Sequence, residues 1–136
     1  MDIVVVTGPG RAPRWAEEAG ADWISRISRT FPARLVEEAP RLPARARVIA
    51  LDERGEERDS LGFAALLEEA VRAGAQPLCF VIGGPYGLDE AIRARANRTV
   101  RLSALVLNHA VARVVLLEQI YRACAIRAGS PYHHGG

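Results

Sequence analysis

Three short apolar runs without polar alternation constrain the fold of this chain more than any other feature. They are Ile3–Val6, Val48–Leu51 and Leu78–Ile82, and each run is followed by turn-forming residues. A strand with one face in water alternates apolar and polar residues, whereas a strand covered on both faces of a parallel sheet is apolar throughout. Segments with helical spacing separate the runs along the chain. The pattern predicts an α/β fold: a largely parallel sheet with helices on both faces.

The spacing of apolar residues and the capping residues predict the remaining elements. The predicted helices are Pro13 to about Arg29, Leu61–Arg72 with Ser60 as N-cap, Asp89 to about Arg98, and about Val111 to Arg127. Two weaker strands are predicted, at Ala33–Glu38 and from Thr99 to about Leu105, with a turn at Asn108-His109. A short tail follows Gly129, and we expect it to bury little surface and add little stability.

Length and composition favour a single globular domain over residues 1–136. The chain is 49% hydrophobic and 25% charged, which is ordinary for a folded domain. Its apolar runs are far shorter than the roughly 20 residues of a membrane helix, and its start lacks the basic residues of a signal peptide. Cys79 and Cys124 stand in no metal or redox spacing. We therefore expect a cytoplasmic protein with buried thiols, no membrane association and no metal.

The charges are distributed unevenly along the chain. All 18 basic residues are arginine, and no lysine is present. Residues 1–92 contain 11 arginines and 15 acids, whereas residues 93–136 contain 7 arginines and one acid, Glu118. A guanidinium group binds phosphate or carboxylate through two parallel hydrogen bonds. The basic C-terminal third thus indicates an anionic partner such as a nucleic acid. A GC-rich coding preference explains the missing lysines equally well, but not the asymmetry.

Several strand ends carry residues that could meet at one ligand site. Gly83-Gly84-Pro85-Tyr86-Gly87 follows a buried strand, and ligands of open α/β sheets bind beyond the carboxyl ends of strands. Its spacing is neither a dinucleotide fingerprint nor a P-loop, and a tight turn explains it as well. Asp52 or Glu53 could orient a ligand, or could cap a solvated turn. His109 could be a base, or simply a residue at the start of a helix.

Five motifs in order carry a family resemblance. They are Val48 to Gly55, Phe80 to Gly87, Leu102 to Leu105 with His109 and Arg113, Glu118 to Ala123, and Pro131-Tyr132-His133. Together they closely resemble the RlmH-type enzymes, the 23S ribosomal RNA pseudouridine N3-methyltransferases of the SPOUT superfamily. The likeness is strongest over the last two thirds of the chain.

The resemblance implies a fold, a cofactor and an assembly. The fold is a parallel α/β sheet whose C-terminal segment forms a trefoil knot, and the protein is a homodimer. The cofactor is S-adenosylmethionine, and its binding residues by position are Leu51, Gly84, Ser103, Ala104, Leu105, Val106, Leu107 and Asn108. The substrate is a pseudouridine of 23S ribosomal RNA within the assembled ribosome.

No residue of the chain is an unambiguous base, and the chemistry of the reaction favours the end of the chain as its catalytic part. Methyl transfer to N3 needs an aligned nucleophile, together with a base or a stabiliser for the developing anion. We expect Tyr132 or His133 near the target ring, with Arg122 and Arg113 on RNA phosphate or on the pyrimidine oxygens. The tail is expected to complete the cofactor pocket of the partner subunit.

The chain departs from the family at two places, and the first of them motivates another function. The segment Pro40 to Arg47 stands in place of a longer, lysine-rich one, and Asn108-His109 replaces a usual Pro-His. One alternative function is a non-catalytic RNA-binding or ribosome-binding dimer that retains the fold. A second is a SPOUT methyltransferase that acts on another RNA, such as tRNA.

Overall fold

The computed structural model describes residues 1–83 and 88–135. Its strands are β1 Ile3–Val6, β2 Ala33–Val36, β3 Arg47–Glu57, β4 Leu78–Ile82 and β5 Arg98–Arg101. Its helices are α1 Arg14–Ile27, α2 Ser60–Arg72, α3 Glu90–Arg95 and α4 His109–Arg127. The strands form one sheet in the order β2-β1-β4-β3-β5, and every pairing is parallel. The predicted parallel α/β sheet is confirmed.

The two faces of the sheet explain why its central strands are apolar throughout. Successive side chains of a strand point to opposite faces. In β1, Ile3 and Val5 contact the larger core, on the face covered by α1, α2 and α4. Val4 and Val6 contact a smaller core, on which α3 packs through Ile92. Helices therefore lie on both faces, as predicted, but among the described residues three long ones cover one face and a single short one lies on the other.

The strand β3 is longer than predicted and contains a bulge. Both Leu51 and Glu56 pair with Val100 of β5, so that residues 52–55 leave the ladder. The turn-forming residues predicted after the run Val48–Leu51, here Glu53-Arg54-Gly55, thus lie in this bulge within the strand. A Cβ atom at Gly55 would lie 2.6 Å from the backbone carbon of Val100, so the close approach of β5 requires glycine there.

The helix starts differ from prediction by one or two residues. Asp59, rather than Ser60, caps α2, since its Oδ1 accepts a hydrogen bond from the Gly62 N–H at 2.8 Å. Asn108 caps α4 in the same way through Ala110, so that α4 begins at His109. Amide and carboxylate oxygens are both effective N-caps, and only the backbone path decides which residue occupies the position.

The tail after α4 folds back onto that helix through Tyr132 and His133, which are partly buried, whereas its other described residues are exposed. The ring of Tyr132 meets the ring of Tyr121 edge-on at 4.9 Å between centroids. His133 is half-buried beside Arg122. An aromatic ring and an imidazole gave the tail enough surface to pack.

The two thiols are buried and free, as predicted. Burial raises the pKa of Cys79 and of Cys124 to about 11, so both remain protonated at neutral pH. None of the helices in the described ranges is long and apolar enough to cross a membrane.

Candidate active site

A cleft of about 530 Å³ opens at the carboxyl edge of the sheet. Its walls include the ends of two strands, namely Leu51 at the end of the regular part of β3 and Ile82 at the end of β4. Leu102 after β5 and His109 at the start of α4 also line it. The volume lies within the range of small-molecule sites, about 300–1,000 Å³. The predicted meeting of strand ends at one crevice is confirmed.

The bulge of β3 is fixed to α3 by a charged contact on the cleft wall. Asp52 Oδ2 lies 2.8 Å from a guanidinium nitrogen of Arg93, and Asp52 Oδ1 accepts from the Arg54 N–H at 3.0 Å. The hydrogen bond from the Arg54 backbone lowers the pKa of Asp52, and the charges of Arg93 and Arg54 add to the effect. The carboxylate is therefore a weak base, and it serves to hold the bulge in place.

His109 connects the first turn of α4 to the end of β1. Its Nε2 lies 2.9 Å from the carbonyl oxygen of Thr7, which can only accept a hydrogen bond. The ring must therefore donate through Nε2–H, and that nitrogen is not free to take a proton. The contact gives His109 a structural role through Nε2, and the alternative role of a base would fall to Nδ1.

The predicted cofactor residues divide into three groups. Leu51, Ser103, Leu105 and Leu107 line the cleft. Ala104, Val106 and Asn108 lie in the same segment but are not among the described residues that line the cleft. Asn108 instead caps α4. Gly84 falls outside the described residues. The side chains present suit S-adenosylmethionine: the leucines offer apolar surface to a purine, and charged groups of both signs suit an amino-acid end.

The three predicted catalytic residues come together on the last part of α4. Arg122 Nε donates to Glu118 Oε1 at 2.9 Å, and Arg122 Nη1 lies 3.0 Å from His133 Nδ1. The guanidinium also lies 4.7 Å above the ring of Tyr132. The hydrogen bond to Glu118 is the main reason that the pKa of Arg122 is raised. Arg122 is thus the common contact of the whole cluster.

We call Arg122, Tyr132 and His133 the tail cluster. This cluster and the cleft lie far apart within one chain. His109 and Arg122 are thirteen residues apart on α4, which corresponds to about 20 Å at a rise of 1.5 Å per residue. Among the described residues, no residue of the tail lines the cleft. A single chain therefore does not bring the predicted catalytic residues to the predicted cofactor residues.

Arg113 lies inside the molecule, with only 5% of its surface exposed. Its Nε is buried and has no hydrogen-bond partner within the part of the chain that the structure describes. In a single chain this buried guanidinium does not reach the surface where an RNA phosphate would bind. The contact of Arg113 with RNA therefore stays a prediction.

Two arginines of the cleft were not found by sequence reasoning. Arg93 pairs with Asp52, and Arg101 pairs with Glu57 while lining the cleft. The only signal was an acid at a strand end, and nothing in the sequence indicates which arginine folds against it. Over residues 1–83 and 88–135, no cluster of three or more His, Cys, Asp or Glu side chains is placed to hold a metal.

Comparison with known proteins identifies the family. A family model described as "Predicted SPOUT methyltransferase" matches residues 35–133. A ribosomal RNA large subunit methyltransferase H from Paracidovorax citrulli is 37% identical over 154 aligned positions, covering 98% of this chain and 99% of the relative. The chain is a SPOUT methyltransferase of the RlmH type. The resemblance predicted from the five motifs is confirmed.

Further comparisons support the same family and fold. The RlmH-type relative from Solidesulfovibrio magneticus is 39% identical over 150 positions, covering 96% of this chain and 97% of the relative. Both alignments are longer than the 136 residues of this chain, so these relatives contain residues that it lacks.

A solved structure shares the fold. It is the SpoU methyltransferase AviRb from Streptomyces viridochromogenes, in complex with the cofactor AdoMet. It matches with a TM-score of 0.51 at 16% identity, over 96% of this chain and 61% of AviRb. The SPOUT fold is confirmed, and the trefoil knot stays a prediction.

Proposed function

We propose that this RlmH-type protein transfers the methyl group of S-adenosylmethionine to N3 of a pseudouridine in 23S ribosomal RNA, within assembled ribosomes of the cytoplasm. The relatives named as ribosomal RNA large subunit methyltransferase H support methyl transfer to that RNA. The observation that carries the choice of a base as target is the tail cluster: an aromatic ring, an imidazole and a guanidinium within contact of one another.

The residues of this chain divide the work of the reaction between two sites. When bound, S-adenosylmethionine supplies a methyl group on a sulfonium sulfur, which leaves as a neutral thioether as the bond to N3 forms. Leu51, Ser103 and Leu107 of the cleft would hold this cofactor. Tyr132 offers a ring on which a splayed-out base can stack. The charge of Arg122 stabilises the pyrimidine anion that forms when N3 loses its proton to water.

The active form that we propose is a homodimer in which the tail of one chain completes the cleft of the other. The distance of about 20 Å along α4 is the reason, since it keeps the two half-sites of one chain apart. Leu105 and Val106, which are 76% and 80% exposed, lie in the segment that leads into α4. A two-fold partner would cover this apolar surface with the same surface of its own.

A mixing experiment tests this arrangement directly. Leu107→Arg blocks the cleft but leaves the tail intact, and His133→Ala changes the tail but leaves the cleft intact. Each variant alone should fail to methylate ribosomes. Equal amounts, unfolded and refolded together, should regain about a quarter of wild-type activity, because half of the dimers are mixed and each has one complete site. An inactive mixture, with mixed dimers confirmed by mass spectrometry, would show that the tail does not act in its partner.

The base-level assignment has its own test. Ribosomes from a deletion strain, treated with the purified protein and S-adenosylmethionine, should gain one methyl group on a pseudouridine of 23S RNA by mass mapping of nucleosides. Methylation of tRNA alone would contradict the proposed substrate. RNA binding without S-adenosylmethionine binding in calorimetry would instead support a binding-only dimer.

A further inference from the structure

A continuous series of hydrogen bonds joins the start of α2 to the tail. Ser60 Oγ donates to Gln119 Oε1 at 2.7 Å, and Gln119 Nε2 donates to Glu118 Oε1 at 3.1 Å. Glu118 accepts from Arg122, and Arg122 Nη1 then donates to His133 Nδ1. We call Ser60, Gln119 and Glu118 the tail anchor. Its members belong to two helices and precede the tail by 12 to 70 residues.

The last bond of this series fixes which ring nitrogen of His133 carries the proton. A guanidinium has only N–H donors, so Nδ1 must accept with its lone pair. The neutral ring then carries its proton on Nε2. This Nε2 is buried and has no hydrogen-bond partner within the described ranges. Buried polar atoms nearly always have a partner. This Nε2–H has none in the described part of the single chain, and it meets an acceptor of another molecule only where docking of the tail uncovers it.

We propose that the tail anchor acts through Arg122 to hold His133 as a hydrogen-bond donor, its Nε2–H directed to a pyrimidine carbonyl beside N3 of the target. This inference rests on the proposed function, which supplies the pyrimidine. When N3 loses its proton, negative charge spreads to the neighbouring carbonyl oxygens, and a fixed donor stabilises that charge. His133 is thus a donor to the reacting base, and the N3 proton goes to water. Ser60, Gln119 and Glu118 are positioning residues.

Nuclear magnetic resonance tests the anchor without any assay of activity. In the full-length protein, Glu118→Gln and Gln119→Leu should lower the heteronuclear NOE values of residues 131–135. Glu118→Gln should also shift the His133 Nδ1 resonance, because Arg122 loses the carboxylate that positions its guanidinium against Nδ1. Glu68→Gln is the matched control, because Glu68 of α2 accepts from Arg127 Nε of α4 at 2.9 Å in a carboxylate–guanidinium pair that is not part of the tail anchor. Unchanged tail signals in Glu118→Gln would overturn the anchor.

Two substitutions of His133 separate a donor from a proton acceptor. The amide oxygen of His133→Asn can take the place of Nδ1 and keep the bond from Arg122, but it has no N–H at the position of Nε2. The amide nitrogen of His133→Gln reaches that position and restores a donor. We expect the Gln variant to methylate ribosomes at least about tenfold faster than the Asn variant. Loss of one hydrogen-bond donor to a developing anion slows other enzymes by at least this factor. Equal loss in both variants would overturn the donor role.

The kinetics of Glu118→Gln link the two parts. We expect kcat for methyl transfer to fall about tenfold or more through misplacement of the tail, with the Kd for S-adenosylmethionine unchanged. Full kcat in this variant would contradict a positioning role. If the wild-type protein methylated no ribosomal RNA, the proposed function would fail, whereas the resonance measurements would still decide whether the anchor holds the tail.

Discussion

At the scale of single residues, the bulge of β3 depends on the absence of a side chain at Gly55. A Cβ atom there would lie 2.6 and 2.7 Å from backbone atoms of Val100 and 2.9 Å from the Arg101 nitrogen. Backbone atoms paired in a sheet cannot move aside as a side-chain tip can. Gly55→Ala should therefore destabilise the protein by about 1–3 kcal/mol, as for overpacking in a core.

The effect of Gly55→Ala should extend to the cleft, because the bulge forms part of its wall. We expect weaker S-adenosylmethionine binding in calorimetry, together with the lower unfolding free energy in urea. Gly20→Ala is the control, since its added Cβ meets only the ends of side chains, Leu35 Cδ1 at 3.3 Å and Leu117 Cδ1 at 3.8 Å. If Gly55→Ala were as stable as Gly20→Ala, the close approach of β5 would not constrain this residue.

The carboxylate of Asp52 predicts a pH dependence of stability. Its pKa is lowered in the folded chain, chiefly by the Arg54 N–H and further by Arg93. A lowered pKa stabilises the fold above the ordinary value of 3.8, and this contribution is lost as pH falls through the folded pKa. The stability advantage of wild type over Asp52→Asn should therefore be constant near neutral pH and shrink in acid. Urea unfolding of both proteins across that range checks it; a constant difference would contradict it.

At the scale of elements, the start of α2 separates capping from positioning. Asp59 satisfies the Gly62 N–H, whereas Ser60 contacts Gln119 of α4. Asp59→Ala should cost about 1 kcal/mol of stability, as for the loss of an N-cap. Ser60→Ala should leave the thermal midpoint nearly unchanged, because alanine is a good helix former. Calorimetry of both variants checks this, and equal losses would mean that both residues cap the helix.

The tail is a second element whose stability and function can be separated. Deletion of residues 130–136 removes the Tyr132 ring from Tyr121 and Arg122. An aromatic pair and a cation over a ring contribute about 0.5–1.5 kcal/mol each, so we expect a small drop in thermal midpoint. Methyl transfer to ribosomes should be abolished. Methylation by the truncated protein at the full-length rate would show that the tail is not part of the active site.

At the scale of the whole molecule, the apolar surface before α4 predicts the oligomeric state. Val106 is 80% exposed and lies beside the similarly exposed Leu105. Light scattering should show a dimer at micromolar concentration, and Val106→Asp should shift it toward monomer. Leu61→Asp is the control, because Leu61 is also exposed but lies on α2. A wild-type monomer would rule out the partner-completed site.

The sequence by itself determined the layered architecture and the family. The continuous apolar runs of β1 and β4 follow from burial on both faces, so local composition was enough to predict a parallel sheet. The five ordered motifs likewise depend only on residues near in sequence. They placed Leu51 and Leu107 in one cleft, and Arg122, Tyr132 and His133 in one cluster.

Only the tertiary structure decided the contacts between distant segments. Two such contacts are the ion pair of Asp52 with Arg93 and the hydrogen bond from His109 to Thr7. The burial of Arg113 likewise depends on how distant segments pack around it. With 18 arginines available, no local pattern selects the one that an acid will meet. Such partners are set by how strands and helices pack, because packing fixes which side chains share a space and which of their polar atoms lose water.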